Sequence, residues 1–230
     1  MRRVWITRAS PGAEATAGRL RALGWDPVVA PILATRILTV SVDLAGVGAL
    51  AFTSGAGVRA FAHLTDRRDL PVFTVGAATA AATREAGFAK VQSADGDVGA
   101  LGRLISESRR TFSGVLLHAG ALEPAGDLAG ELQRSGVPAR ALPVYETMPA
   151  QLSAGFLAGL VSIDAVLVHS PRAGRRLAEI LDGVAAPHLS AYGISAEALA
   201  ALEGIDIGPT IAATLPNEDA LLSLLADPPT

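Results

Sequence analysis

The sequence predicts an α/β protein made of two similar units, each a parallel β-sheet covered by helices. Three observations carry that expectation. Short apolar runs alternate with amphipathic stretches along the whole chain. The runs are too uniformly apolar to alternate inward and outward, so the strands are buried on both faces. The strand–helix pattern also repeats within the chain.

Taken in order, the expected strands are Val4–Thr7, Pro27–Ala30, Leu50–Thr53, Val72–Val75, Lys90–Gln92, Val115–His118, Ala139–Leu142, Ala165–His169, Leu189–Ile194 and Thr210–Ala213. The stretches between them read as helices. In Ala13–Leu23, for example, Ala17, Leu20 and Leu23 share a face, and Glu14, Arg19 and Arg21 lie elsewhere.

The repeat is visible at residue level. Ala49 to Arg59 resembles Ala165 to Arg175, each a strand, a serine and a helix start. Val75 to Ala80 matches Ile194 to Leu199, and Val91 to Leu104 matches Ile211 to Leu224. Val115 to Pro143 echoes Val4 to Pro31, with Leu132 on Leu20 and Gly136 on Gly24. Two groupings fit this order. The units lie in tandem over 1–110 and 114–230, or the two chain ends combine around a contiguous middle. In the second case Thr35–Val40 and Arg140–Met148 are the crossings.

Composition bounds the chemistry. The chain has 230 residues, of which 50% are apolar and 18% charged, with a net charge of −3. That is enough to bury a core in each of two domains and is unlike a disordered chain. With no cysteine there is no disulfide scaffold, thiolate nucleophile or Cys-ligated zinc. Of 19 basic residues 18 are Arg, so Schiff-base chemistry has only Lys90 to use, in a polar connection. The 45 alanines favour helices with small, close-packing faces. A pI near 5.8 argues against non-specific nucleic-acid binding. No apolar run is long enough to span a membrane, and the opening Met1-Arg2-Arg3 precedes too short an apolar stretch for a signal peptide. A cytoplasmic protein is expected.

In open parallel sheets ligands bind beyond the C-terminal strand edges. Those edges carry Thr7-Arg8, Thr53-Ser54-Gly55, Gly76 with Thr79, His118 with Gly120, His169-Ser170-Pro171, Ser195, and Thr214 with Pro216. Nearly all are small, hydroxylated or glycine, at positions where helices begin. Each taken singly reads as an N-cap. Together they suit a ligand with several anionic groups, because helix N-termini offer unpaired N–H groups.

Competing patterns are weaker. Gly55-Ala56-Gly57-Val58-Arg59-Ala60 fits a dinucleotide fingerprint, but no acidic residue ends the next strand to hold a ribose. His169-Ser170 lacks the elbow of a serine hydrolase. His118 and His169 sit at equivalent strand ends, and no carboxylate is spaced to complete a metal site with them. His63 and His188 read as surface residues, and Tyr192 as core. Tyr145, in Leu142-Pro143-Val144-Tyr145, is a phenol at a proposed crossing, placed either for hydrogen bonding to a ligand or for packing.

Over its whole length the chain resembles the uroporphyrinogen-III synthase family. The resemblance lies in the order and spacing of Val4-Trp5-Ile6-Thr7-Arg8, Gly24…Pro27…Pro31, Phe52-Thr53-Ser54…Val58 and Val75-Gly76-Ala77-Ala78-Thr79-Ala80. It continues through Gly120, Leu128…Leu132…Gly136, Val144-Tyr145, His169-Ser170-Pro171-Arg172-Ala173 and Ile194-Ser195.

The resemblance implies two doubly wound, flavodoxin-like domains facing each other across a cleft and joined by a two-stranded linker. Residues 1–34 plus 149–230 would form the first, 41–139 the second, and 35–40 with 140–148 the linker. It implies a monomeric, cofactor-free, metal-free enzyme. That enzyme closes hydroxymethylbilane, a linear tetrapyrrole with eight carboxylates, to uroporphyrinogen III. Water is lost and ring D inverts through a spiro-pyrrolenine. Transient hand-over from hydroxymethylbilane synthase is expected.

Thr53, Ser54, Thr79, Ser170 and Ser195 match the family's cleft positions. Tyr145 matches the tyrosine proposed to help the hydroxyl leave. Thr214 stands near the family's C-terminal cleft segment, although Thr214-Leu215-Pro216-Asn217 departs from the usual apolar-Pro-Thr. Gly55-Ala56-Gly57 departs from the usual Ser/Ala/Asn run. With the strand-end residues Arg8, Gly55, Gly76, His118, Gly120 and Pro171, these form the candidate substrate-binding set. Two other classes compete: a two-domain binding protein for a small anion, and a sugar-nucleotide transferase, which lacks its acidic ribose partner.

Overall fold

A computed structural model describes residues 1–226. The last four residues of the expected 149–230 segment, 227–230, lie outside the described residues. The chain begins β1 (Arg3–Ile6), α1 (Gly12–Ala22), β2 (Asp26–Val29), β3 (Leu33–Ile37), β4 (Val47–Phe52), α2 (Gly55–Leu64), β5 (Val72–Thr74), α3 (Ala77–Glu85) and β6 (Val91–Ser93). It continues α4 (Val98–Glu107), β7 (Val115–Ala121), α5 (Leu128–Arg134), β8 (Ala139–Pro149) and α6 (Ala154–Ala158). It closes with β9 (Ala165–Val168), α7 (Pro171–Leu181), β10 (Ser190–Gly193), α8 (Ala196–Leu199), β11 (Thr210–Ala212) and α9 (Glu218–Ala226).

Two compact units result: Met1–Ala34 with the chain from Met148 onward, and Thr35–Thr147. In the first, the sheet order is β11-β10-β9-β1-β2, and every pairing is parallel. In the second, it is β3-β8-β7-β4-β5-β6, parallel from β8 to β6. Read from the outer end inward, β2-β1-β9-β10-β11 and β8-β7-β4-β5-β6 are one order. The internal repeat therefore records two copies of one sheet entered at different strands.

Both sheets are covered on both faces, as uniformly apolar strands require. In the first unit Trp5, Val166 and Val168 pack with α7 and α8 residues, including Leu177 and Leu199. The alternating Val4, Ile6, Ala165 and Leu167 pack with Leu20 of α1 and Leu221 of α9. In the second unit Ala49, Ala51 and Leu116 face Leu101, Ile105 and Leu132. Leu50, Phe52 and Leu117 face Val58, Phe61 and Phe88. The most deeply buried of these side chains contribute about 1.5–3 kcal/mol each relative to exposure.

Three boundaries depart from the sequence reading. The strand expected to stop at His118 runs on to Ala121, because Ala119-Gly120-Ala121 continues the ladder with β8. His118 and Gly120 are thus inside a strand rather than beyond its end. The stretch read as a short strand plus a crossing is one eleven-residue strand, β8. It tolerates Pro143 at a bulge: Gly120 pairs Pro143 and Ala121 pairs Tyr145, leaving Val144 extra. Finally, α9 starts at Glu218, so exposed Thr214 stands in a loop well before it.

Candidate functional site

Each sheet has a point where the chain order reverses, between β1 and β9 in one unit and between β7 and β4 in the other. Ligands of doubly wound sheets bind at the carboxyl ends of such strands.

In the unit formed by Thr35–Thr147, β4 ends into Thr53 and Ser54. Ser54 caps α2: its backbone is extended, and its Oγ accepts the Gly57 N–H at 3.1 Å. The helix can approach β7 because Gly57 has no side chain; a Cβ there would lie 2.8 Å from the Ala119 carbonyl. The β8 bulge re-aims Tyr145, whose hydroxyl lies 3.0 Å from Ser54 Oγ. Thr53 Oγ1 lies 3.3 Å from His118 Nε2. His118 is 5% exposed, so its ring is buried behind the Thr53 hydroxyl. Burial lowers its pKa, against an opposing pull from Asp127, which keeps the ring neutral at pH 7. Gly120 leaves room for that ring, since a Cβ there would stand 3.0 Å from Nε2. Gly76 caps α3 through its backbone, Gly55 opens α2, and Thr79 is buried in the first turn of α3.

In the other unit, Ser170 and Ser195 cap α7 and α8, accepting the Ala173 and Ala198 N–H groups at 3.2 and 3.3 Å. Pro171 occupies the first turn of α7, where its missing N–H costs nothing. Arg8, after β1, donates from Nη1 to Glu218 Oε2 at 2.7 Å. The Thr16 hydroxyl donates to the other Glu218 oxygen. His169 Nε2 is 3.5 Å from Oε2, and neither ring nitrogen forms a hydrogen bond among the described residues. Burial pushes the Glu218 carboxyl up. His169, Thr16 and Arg8 outweigh that and bring it to about 2.

The candidates therefore fall into two groups. Thr53 joins His118, and Ser54 joins Tyr145. Arg8, Ser170, Pro171 and Ser195 belong to the other unit's strand ends, and Thr214 makes no such contact among the described residues. Glu218 lies beside His169, a contact that sequence reading missed together with Thr16 and Gly12. Asn217, whose Oδ1 accepts the Ala220 N–H, signals a helix start at Glu218. Nothing local signals the partner 210 residues away. No group of three potential metal ligands occurs among the described residues.

The family model for uroporphyrinogen-III synthase HemD matches residues 14–223. A uroporphyrinogen-III synthetase from Helicobacter pylori shares the fold with a TM-score of 0.71 at 17% identity, over 97% of this chain and 98% of that one. A mutant uroporphyrinogen III synthase from the extremely thermophilic bacterium Thermus thermophilus gives 0.53 at 19% identity, over 97% and 96%. No curated protein matches the sequence. No helix among the described residues is long and apolar enough to cross a membrane.

Proposed function

The chain belongs to the uroporphyrinogen-III synthase family of cyclising lyases, and from that premise we propose how its strand ends act on hydroxymethylbilane. The family match through residues 14–223 carries the reaction and leaves no ground for a small-anion binding protein. The Ser54–Tyr145 contact carries the assignment of roles.

Each unit, taken by itself, offers backbone N–H groups at helix starts to substrate carboxylates: α2 and α3 in the contiguous unit, α7 and α8 in the one built from both chain ends. The hydroxyls of Thr53, Ser54, Ser170 and Ser195 and the guanidinium of Arg8 assist. Gly55, Gly76 and Gly120 keep the backbone open to approach, Pro171 fixes a helix start, and Thr79 and Thr214 line the margins. This is how a chain of net charge −3 accommodates an octa-anion.

Ring closure breaks one C–O bond at the hydroxymethyl carbon. The freed carbon bonds to the already substituted α-carbon of ring D, giving the spiro intermediate. The bond from that α-carbon to the bridge carbon of ring C then breaks. The bridge carbon re-bonds to the free α-carbon of ring D, which loses its proton, so that water is the sum lost. The bilane closes unaided to the uninverted isomer. The enzyme therefore acts chiefly by fixing the conformation that leads through the spiro intermediate. Ser54 Oγ accepts the Gly57 N–H and lies 3.0 Å from the Tyr145 oxygen, so in the productive state we assign its own proton to that oxygen. That leaves the phenolic O–H to donate to the departing hydroxyl. His118 holds the Thr53 hydroxyl in place.

The same proposal places the enzyme in the cytoplasm, receiving the bilane by transient hand-over from the synthase that makes it. The substrate's spontaneous closure supports this, because a short free lifetime keeps the isomer ratio high. Segments 35–40 and 140–148 serve as links between a unit built from both chain ends and a contiguous one.

Tyr145→Phe tests the roles. It is expected to lower kcat about 10–100-fold with an unchanged melting temperature, and Ser54→Ala to lower it less. Full activity in Tyr145→Phe removes the phenol as the acid.

A further inference from the structure

We propose that Glu218 and Gly12 are positioning residues that fix the Arg8 guanidinium as a docking point for one substrate carboxylate; this rests on the synthase reading above. Three observations converge on Arg8. Its Nη1 is held by Glu218 at 2.7 Å, and the Thr16 hydroxyl holds the other carboxylate oxygen. Its guanidinium lies flat over Gly12: a Cβ there would stand 2.4 Å from Nη2, 2.5 Å from Cζ and 2.6 Å from Nε. Its side chain is still 37% exposed, and Nη1 is its one hydrogen-bonded nitrogen among the described residues. The remaining donors are thus pre-aimed rather than searching through rotamers. An arginine held along one side offers its planar fork to a carboxylate at lower ordering cost.

The arrangement is not a simple charge balance. Glu218 stays ionised through the physiological range, because the groups around it outweigh its burial. A surface ion pair needs no glycine beneath it and no second hydroxyl behind it. Here Gly12, at the start of α1, and Thr16, one turn later, are both fitted to the pair. The His169 ring closes the remaining side at 3.5 Å. Anchors from β1, α1, β9 and α9 therefore converge beside the point where the strand order reverses.

Gly12→Ala is the decisive variant. Its Cβ meets only the far end of a flexible side chain, so the fold absorbs it while the guanidinium is pushed away. The assay supplies hydroxymethylbilane in situ and separates the isomers after oxidation. Gly12→Ala and Glu218→Gln should each raise KM about tenfold, the size of one lost charge-assisted contact. kcat should stay within about twofold, and Gly12→Ala should lower the melting temperature less than Glu218→Gln does, because only the Arg8 partner of the carboxylate is displaced. Arg8→Ala should raise KM at least as far, and Gly12→Ala added to it should do nothing more.

A wild-type KM in Gly12→Ala, or effects that add to those of Arg8→Ala, overturns the proposal. If Glu218→Gln unfolds, Gly12→Ala still decides. If the wild-type protein itself yields only the uninverted isomer, the synthase reading fails instead.

Discussion

Replacing Glu218 with Gln removes a carboxylate held at a pKa of about 2 against an ordinary 4.5. A fall of that size corresponds to about 3 kcal/mol of folding stability above pH 5. The side chain is 24% exposed and the site is only half-buried, so solvent screening leaves a measurable share of about 1–2 kcal/mol. The sign follows from the direction of the shift. A carboxyl lowered on folding contributes its full stability above the unfolded value, and that contribution is lost as pH falls toward 2. Wild type should therefore exceed Glu218→Gln near pH 5, and the margin should vanish between about pH 4.5 and 2. Urea titrations followed by tryptophan fluorescence give the right local readout. Trp5 and Trp25, the chain's two tryptophans, are both buried in the unit that holds Glu218. Trp25 even donates to the Leu225 carbonyl of α9. A margin absent at pH 5, or unchanged at pH 3, refutes the reasoning.

The buried His118 gives acid sensitivity of the same sign, but at higher pH, in the other unit. Its pKa is lowered from 6.5, so the unfolded chain takes up a proton first as pH falls. Calorimetric unfolding should show wild type losing stability below about pH 6.5 relative to His118→Gln, and parallel pH profiles contradict this. Gly174→Ala should destabilise the tryptophan-bearing unit by about 1–3 kcal/mol, because its Cβ would stand 2.0 Å from the Ala198 carbonyl. A thermal shift equal to wild type shows that α7 and α8 separate at little cost.

The fold was legible because its strands are buried on both faces. Runs such as Val166-Leu167-Val168 have no polar alternation to confuse the reading. Boundaries were less legible where small residues continue a ladder. Ala119-Gly120-Ala121 looks like a turn in isolation, yet β8 offers it partners. Pro143 likewise looks like a strand end, but a bulge accommodates its missing N–H. At the site, the serine caps were readable because capping is local and has fixed spacing. The Ser54–Tyr145 and Thr53–His118 pairings were not, because each depends on strand register across 91 and 65 residues. Glu218 was missed for the same reason. Its role exists only once α9 docks beside α1 and β9.

The most direct measurement is the isomer composition of the product. Hydroxymethylbilane generated in situ is incubated with the protein, the product is oxidised, and the porphyrin isomers are separated. The account predicts isomer III in large excess over isomer I, formed faster than spontaneous closure. Isomer I alone, at the rate seen without protein, contradicts it.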